Sequence, residues 1–403
     1  MVTIDDIRAA AVRMAPHEPP SPAELSRRLS EVAGCDLYLK LENQHHTGSF
    51  KERGAFNKLT ALTAEEAARG VVAMSAGNHA QAVAYHAGRL GIKATVVMPR
   101  GTPFTKVERT EALGAAVALE GDNLSEAKAH ADMLAARDGL TFVHPYDDDA
   151  VMAGQGVAGL EFVEQFPEMD DLVVPIGGGG LMAGCAVAAR GVNPAIRLTG
   201  VQAAAYPSMK QYLAGEPLVC GGITLAEGIA VKQPGERTAA VIGRYVDAIV
   251  AVDETRLEQA VFALATVQKL VVEGAGAAGL AAVLADPERY RGRKVGVVVS
   301  GGNIDPRLLA QVLMRGLVAE GRIVRLHVGL SDQPGALAQV ATLLGRGGAN
   351  IVEIYHQRLF HDVPVKMAEI DAIVETRDRR HVQQIIAALA EAGFRADLMA
   401  EVS

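Results

Sequence analysis

The chain has 403 residues, 49% of them hydrophobic, enough for two or three domains with large buried cores. Its formal net charge is -8 with lysine and arginine scattered, which argues against nucleic acid as a partner. The cysteines Cys35, Cys185 and Cys220 show neither metal spacing nor a disulfide framework, which suits a reducing cytoplasm.

In chain order, Thr3-Ile4-Asp5-Asp6 reads as a capped, charged helix start and not as a signal peptide. Helices are expected over 3–14 and 21–32, with Pro16, Pro19 and Pro20 marking an irregular crossing between them. From residue 37 to about 320, apolar strand patterns alternate with alanine-rich helical runs. Strands are expected at 37–41, 71–74, 94–98, 116–119, 172–176, 198–201 and 295–299. That alternation predicts parallel sheets with helices on both faces, which bind ligands beyond the carboxyl ends of the strands. The uncharged run 172–189 is long enough to raise the question of a membrane span. It contains Pro175 and four consecutive glycines, so it reads as strand, loop and helix.

The pattern changes near Glu320-Gly321-Arg322. Strands are expected at 323–330, 350–359, 366–375 and 396–401, with helices at 334–345 and 378–392. The order βαββαβ predicts a separate α+β domain of ferredoxin-like type over 322–403.

Thr47-Gly48-Ser49-Phe50-Lys51 places a lysine at a strand-to-helix turn, where its amine can lose a proton and attack a carbonyl. Ser75-Ala76-Gly77-Asn78-His79 follows a strand and opens a helix. Backbone amides there can hold a carboxylate, and Asn78 can donate to a ring hydroxyl; a simple helix cap is the alternative. Gly177-Gly178-Gly179-Gly180-Leu181 lets main-chain N–H groups converge on a phosphate, and it has no Walker lysine. Ser300, at a strand end, offers a neutral hydroxyl to a ring nitrogen.

Three features read as bland. Gly274-Ala275-Gly276-Ala277-Ala278-Gly279 matches a dinucleotide fingerprint literally but follows a helical stretch, so a Gly/Ala helix packed on the sheet is expected. The histidines at 45, 46, 79, 86, 130, 144 and 356 make no metal spacing with Cys or Glu, so no metal site is expected from them. Asp147-Asp148-Asp149 reads as a solvated turn and helix start.

Over residues 15–315 these motifs resemble the fold type II pyridoxal-phosphate enzymes, the tryptophan synthase β-like group, and look closest to the threonine dehydratases. Glu42-Asn43 with Thr47 to Lys51, Ser75 to Gln81, Pro145-Tyr146-Asp147-Asp148, Ala153-Gly154-Gln155-Gly156, Gly177 to Leu181, and Ser300 to Asn303 carry the likeness. It implies a two-lobed catalytic domain over 1–320, with a small lobe at about 53–150 inserted in the large one. Lys51 would be catalytic and bind pyridoxal 5'-phosphate with Phe50, Asn78, Gly177, Gly178, Gly179, Gly180, Leu181 and Ser300. Ser75, Ala76, Gly77 and His79 would bind a small amino-acid substrate. The C-terminal part is similar to an ACT domain, with Asp332-Gln333-Pro334-Gly335 as its first loop. That implies an amino-acid effector, isoleucine or valine, and a cytoplasmic homodimer or homotetramer without membrane attachment.

Two departures sharpen the expectation. Serine racemases carry a second serine where this chain has Ala76, so dehydration of threonine, with serine as a secondary substrate, is favoured over racemisation. Relatives hold a cation at a Val-Glu motif. Here the matching stretch is Val201-Gln202 with Ser208 downstream, which weakens a hard-cation site. Serine racemase, hydroxyaspartate ammonia-lyase and a non-catalytic amino-acid sensor are the competing readings.

Overall fold

The computed structural model describes residues 1–357 and 366–399, which form two compact units, Met1–Ile304 and Asp305–Ser403. The helix Pro306–Ala319 falls in the second unit, whereas the sequence pattern alone divides the chain after residue 320.

In the first unit, β1 (Ala23–Leu25), β2 (Asp36–Leu41), β3 (Val71–Met74), β4 (Ala94–Met98), β5 (Ala116–Leu119), β6 (Thr141–Phe142), β7 (Asp171–Pro175), β8 (Arg197–Ala203), β9 (Ala248–Val252) and β10 (Lys294–Val299) form two sheets. The larger runs β1-β2-β10-β7-β8-β9 and the smaller β5-β4-β3-β6. Every pairing is parallel except β1 with β2. β2 and β10 run in register from Asp36↔Lys294 to Leu41↔Val299. The carboxyl ends of β2, β3, β7 and β10 therefore lead into the four loops singled out in the sequence.

Leu172, Val174 and Val298 belong to a core with Met152, Val157 and Met182 from the covering helices. The smaller sheet is packed on both sides, with Val71 and Val96 in one cluster and Val72 and Val97 in another. That alternation is what a buried parallel strand requires.

Two expectations need correction, and two strands carry little signal in the sequence. Residues 21–32 are not one helix: Pro19, Pro20 and Pro22 hold the chain extended into β1, and Ser26 then caps the helix Arg27–Ala33 by accepting from Leu29 N at 3.3 Å. β6 and β9 went unread, because two residues (Thr141, Phe142) and a strand with no fully buried residue before Val252 leave little apolar signal. Asp147-Asp148-Asp149 does start a helix, but it is only partly exposed. Asp148 pairs with Lys58 at 2.6 Å, and Asp147 Oδ1 accepts from the backbone N of Arg237 and Thr238 at 2.9 and 3.1 Å.

The Gly274 stretch forms the helix Gly274–Ala285, whose residues are buried to Val283. Gly279 faces Val297 of β10 so closely that a Cβ would lie 2.7 Å from its side chain. The fingerprint is thus a packing surface.

The second unit contains β11 (Ile323–Ser331), β12 (Asn350–Gln357), β13 (Met367–Glu375) and β14 (Arg395–Leu398), all antiparallel in the order β12-β13-β11-β14. With helices Ala336–Arg346 and Arg379–Glu391 this is a ferredoxin-like sandwich. Leu326, Val328, Val340, Ile370, Ala372 and Ile385 fill its core. The expected ends of the second strand, at 358–359, and of the last strand, at 400–401, lie outside the described residues.

Candidate active site

Lys51 opens the helix Lys51–Thr60, and Phe50 precedes it at the cap position. Two residues on, Arg53 anchors that helix from beneath. It is 2% exposed, and its Nε donates to Glu42 Oε2 at 2.7 Å while Nη1 and Nη2 donate to Glu161 at 2.8 and 2.7 Å. Lys40 Nζ, fully buried, joins Glu161 at 2.5 Å. Each charge of this network is paired, as burial demands. The position of Lys51 is set by this network.

Above it, three loops and Glu273 are laced together. Phe50 N donates to Ser300 O at 3.1 Å and Gly302 N to Gly48 O at 2.9 Å. Asn303 Nδ2 donates to Thr47 O at 2.6 Å and to Asn78 Oδ1 at 2.7 Å. Asn78 Nδ2 donates to Glu273 Oε1 at 2.8 Å, and Glu273 N to Gly301 O at 3.1 Å. The structure thereby brings the Thr47–Lys51, Ser75–Asn78 and Ser300–Asn303 loops together. It adds Glu273, which the sequence reading missed because it stands at the head of the stretch taken as a helix only.

Lys51 Nζ donates to Pro145 O at 2.6 Å, and Gln155 Nε2 approaches the same oxygen at 3.4 Å. Tyr146 follows, with its ring over Gly178 and its hydroxyl donating to Gln233 O at 3.1 Å. Pro145 and Tyr146 thus link the lysine to the glycine loop. Thr238 Oγ1, also unread, donates to Gly178 O at 2.6 Å and secures that loop.

The glycines have distinct reasons. A Cβ on Gly178 would lie on the Tyr146 ring, and one on Gly180 on Gln155 Oε1. Gly179 has φ 101, and a Cβ there would lie 2.7 Å from Met209 and from Thr238 Oγ1. The 13-residue helix Gly180–Val192 begins here, so its free N–H groups face the loop. Leu181 is 4% exposed and its side chain belongs to the core, leaving only its N–H for the loop.

Burial lowers the Lys51 amine to about 8. Burial raises Glu273 to about 7, against the opposing donation from Asn78. Burial, then the Lys51 charge, lowers His79 to about 3, so its ring is neutral. His79 Nε2 donates to Val143 O at 2.8 Å, so that ring is tied to the scaffold and its backbone N–H is what the loop can offer. Ser75 Oγ accepts from Gly77 N at 3.2 Å. Ala76 is partly exposed and packs on the small-sheet core. Ser300 is 3% exposed at the end of β10. Gln202 Oε1 accepts from Lys210 N at 3.0 Å and Ser208 Oγ donates to Val231 O at 2.6 Å, with neither side chain supplying a carboxylate.

These residues fit pyridoxal phosphate. The side-chain-free loop at a helix N-terminus suits a phosphate. Gln155 Oε1 beside it is buried without a hydrogen-bond partner among the described residues. A lysine of lowered basicity and a neutral serine, on loops hydrogen-bonded to one another, are residue types that suit an aldehyde and a ring nitrogen.

The comparisons with known proteins agree. Residues 14–301 match the family described as pyridoxal-phosphate dependent enzyme. The chain is 44% identical over 396 residues to an L-threonine ammonia-lyase of Thermotoga maritima, covering 98% of both chains. The processed form of threonine deaminase isoform 2 from Solanum lycopersicum superposes with a TM-score of 0.72 at 33% identity, over 77% of this chain and 88% of that one. Maize serine racemase superposes with a TM-score of 0.73 at 34% identity, over 79% and 99%.

Proposed function

The chain belongs to the pyridoxal-phosphate-dependent enzyme family, and on that footing we propose that it is a threonine ammonia-lyase, converting L-threonine to 2-oxobutanoate and ammonia, with L-serine giving pyruvate more slowly. Near-complete coverage of the Thermotoga enzyme at 44% identity is the observation that carries this reading. Bound through Lys51, pyridoxal phosphate supplies a carbonyl carbon for the substrate amine and a conjugated ring that takes up the electron pair left by the α-proton.

The protein's part is to hold and to move protons. The N–H groups of Gly178 to Leu181 and the helix dipole would hold the phosphate. Asn78, oriented between Asn303 and Glu273, would meet the ring hydroxyl. The Ser300 hydroxyl, neutral at all working pH, would face the ring nitrogen without protonating it. Such a partner favours prompt loss of a β leaving group over a long-lived carbanion. The amides from Ser75 to His79, at the start of the helix Asn78–Leu90, would dock the substrate carboxylate. Lys51 Nζ then accepts the α-proton, and an amine near 8 is close to the basicity that general-base work at neutral pH requires. Ala76 supplies no acid on the opposite face, which separates this reading from serine racemisation.

The ferredoxin-like unit is read as an ACT domain binding isoleucine or valine. Its first loop, Asp332 to Gly335, turns through Gly335 at φ 91 into the helix Ala336–Arg346. A homodimer or homotetramer in the cytoplasm is the corresponding assembly; among the described residues no helix is long and apolar enough to cross a membrane. Initial rates with threonine and with serine, each with and without isoleucine and valine, test the whole reading. Ketoacid from neither substrate would refute it.

A further inference from the structure

Beside the lysine loop lies a second cluster of buried polar groups that the reaction does not use. Glu52, the residue after Lys51, is fully buried. Its Oε1 accepts from Thr47 N, while Oε2 has no hydrogen-bond partner among the described residues. His86, also fully buried, has neither Nδ1 nor Nε2 bonded among the described residues. His86 Nε2 stands 3.8 Å from Glu52 Oε2. Glu18 closes the group, and one ligand atom from each of Glu18, Glu52 and His86 lies within 4.8 Å of the others.

A fully buried imidazole and a fully buried carboxylate oxygen, neither hydrogen-bonded among the described residues and 3.8 Å apart, are costly unless something joins them. A proton shared between Glu52 and His86 would need a shorter approach than 3.8 Å. That distance instead approaches the separation of about 3.3 Å between neighbouring ligands on a tetrahedral cation with bonds of about 2.0 Å. One imidazole and two carboxylates suit a borderline divalent metal better than calcium or magnesium, which prefer oxygen throughout.

The geometry points to a divalent transition-metal site, of the zinc or cobalt(II) class, held by Glu18, Glu52 and His86. Water or His45 Nδ1, 4.0 Å from Glu52 Oε2, takes the fourth position. The ligands come from three separate segments, which is why spacing along the chain does not reveal them. The cation is a clamp and touches no substrate. It joins the residue after Lys51 to the helix that begins at Asn78, so the lysine loop and the carboxylate-docking loop share one anchor.

The test is metal binding by the holoenzyme, stripped with chelator and re-equilibrated with Zn²⁺ or Co²⁺ alone. Elemental analysis after gel filtration should find one equivalent in the wild type, and Co²⁺ should give visible bands of an imidazole–carboxylate site. His86→Gln should lose the cation, and Glu18→Gln should bind it at least about tenfold more weakly. Glu18 also pairs with Arg89, so Arg89→Met, which breaks that pair and keeps the ligands, should bind as tightly as wild type. If His86→Gln does not fold, Glu18→Gln and Arg89→Met decide together. A wild type that retains no cation, or a Glu18→Gln variant that binds as wild type does, overturns the proposal.

Discussion

Asn78 and Glu273 meet at 2.8 Å, Nδ2 to Oε1, although 195 positions separate them in the chain. The amide is thereby oriented by a carboxyl group that burial has made hard to ionise. This gives a pH signature. Glu273 titrates near 7 in the fold against 4.5 when exposed. The folded state therefore holds a proton that the unfolded chain has lost. Stability falls as pH rises from about 4.5 to about 7 and then levels, as far as this group determines it. Glu273→Gln keeps an acceptor for Asn78 and removes the titration. Urea midpoints of cofactor-free protein from about pH 4.5 to about 8 should decline for the wild type and be flatter for the variant. Parallel profiles would show that Glu273 ionises normally.

Within the run Gly177 to Gly180, Gly179 is the glycine at which a side chain meets both strain and a collision. Its φ of 101 costs an L-residue about 1–2 kcal/mol, and the added Cβ would strike Thr238 and Met209. Gly179→Ala should weaken pyridoxal phosphate binding by roughly tenfold or more, since about 1.4 kcal/mol is a factor of ten. Equilibrium titration of the apoenzyme with cofactor, followed by fluorescence, measures it. Unchanged affinity would remove this loop from phosphate binding.

Arg53 holds two carboxylates out of water, so its loss should be felt in stability before activity. Arg53→Met leaves Glu42 and Glu161 without their main partner and should cost about 3–5 kcal/mol. Denaturant unfolding reads this directly. A loss below about 1 kcal/mol would mean that Lys40, on Glu161, and His45, whose Nε2 lies 2.9 Å from Glu42 Oε2, carry the pairing alone.

Removing residues 322–403 should abolish any response to isoleucine or valine and leave threonine turnover in place. The comparison needs only initial rates of the two proteins across effector concentration. A truncated protein that still responds would put the effector site in the first unit.

Much of this architecture can be read from the sequence because its signals are local. Val71 to Met74, between Gly70 and Ser75, and Val295 to Val299, between Lys294 and Ser300, are short apolar runs with polar or glycine ends, and four adjacent glycines have few other uses. The order of strands and helices after residue 322 likewise specifies the ferredoxin-like sandwich. Other features are not local. Glu273 gains its role from Asn78 and Gly301, and Thr238 from Gly178, each brought across the fold by the sheet. The edge strands β1 and β9 carry weak patterns because little of them is buried. The aspartates at 147–149 look like any solvated turn until Lys58 and the backbone at 237–238 are placed opposite them.

Threonine deamination is proposed to depend on the Lys51 amine. The direct measurement is release of ammonia and 2-oxobutanoate from L-threonine by purified holoenzyme, wild type against Lys51→Ala. Equal amounts of the two products are expected from the wild type, with a rate at least about 10³-fold lower for the variant. A Lys51→Ala protein that turns threonine over at the wild-type rate would contradict the account.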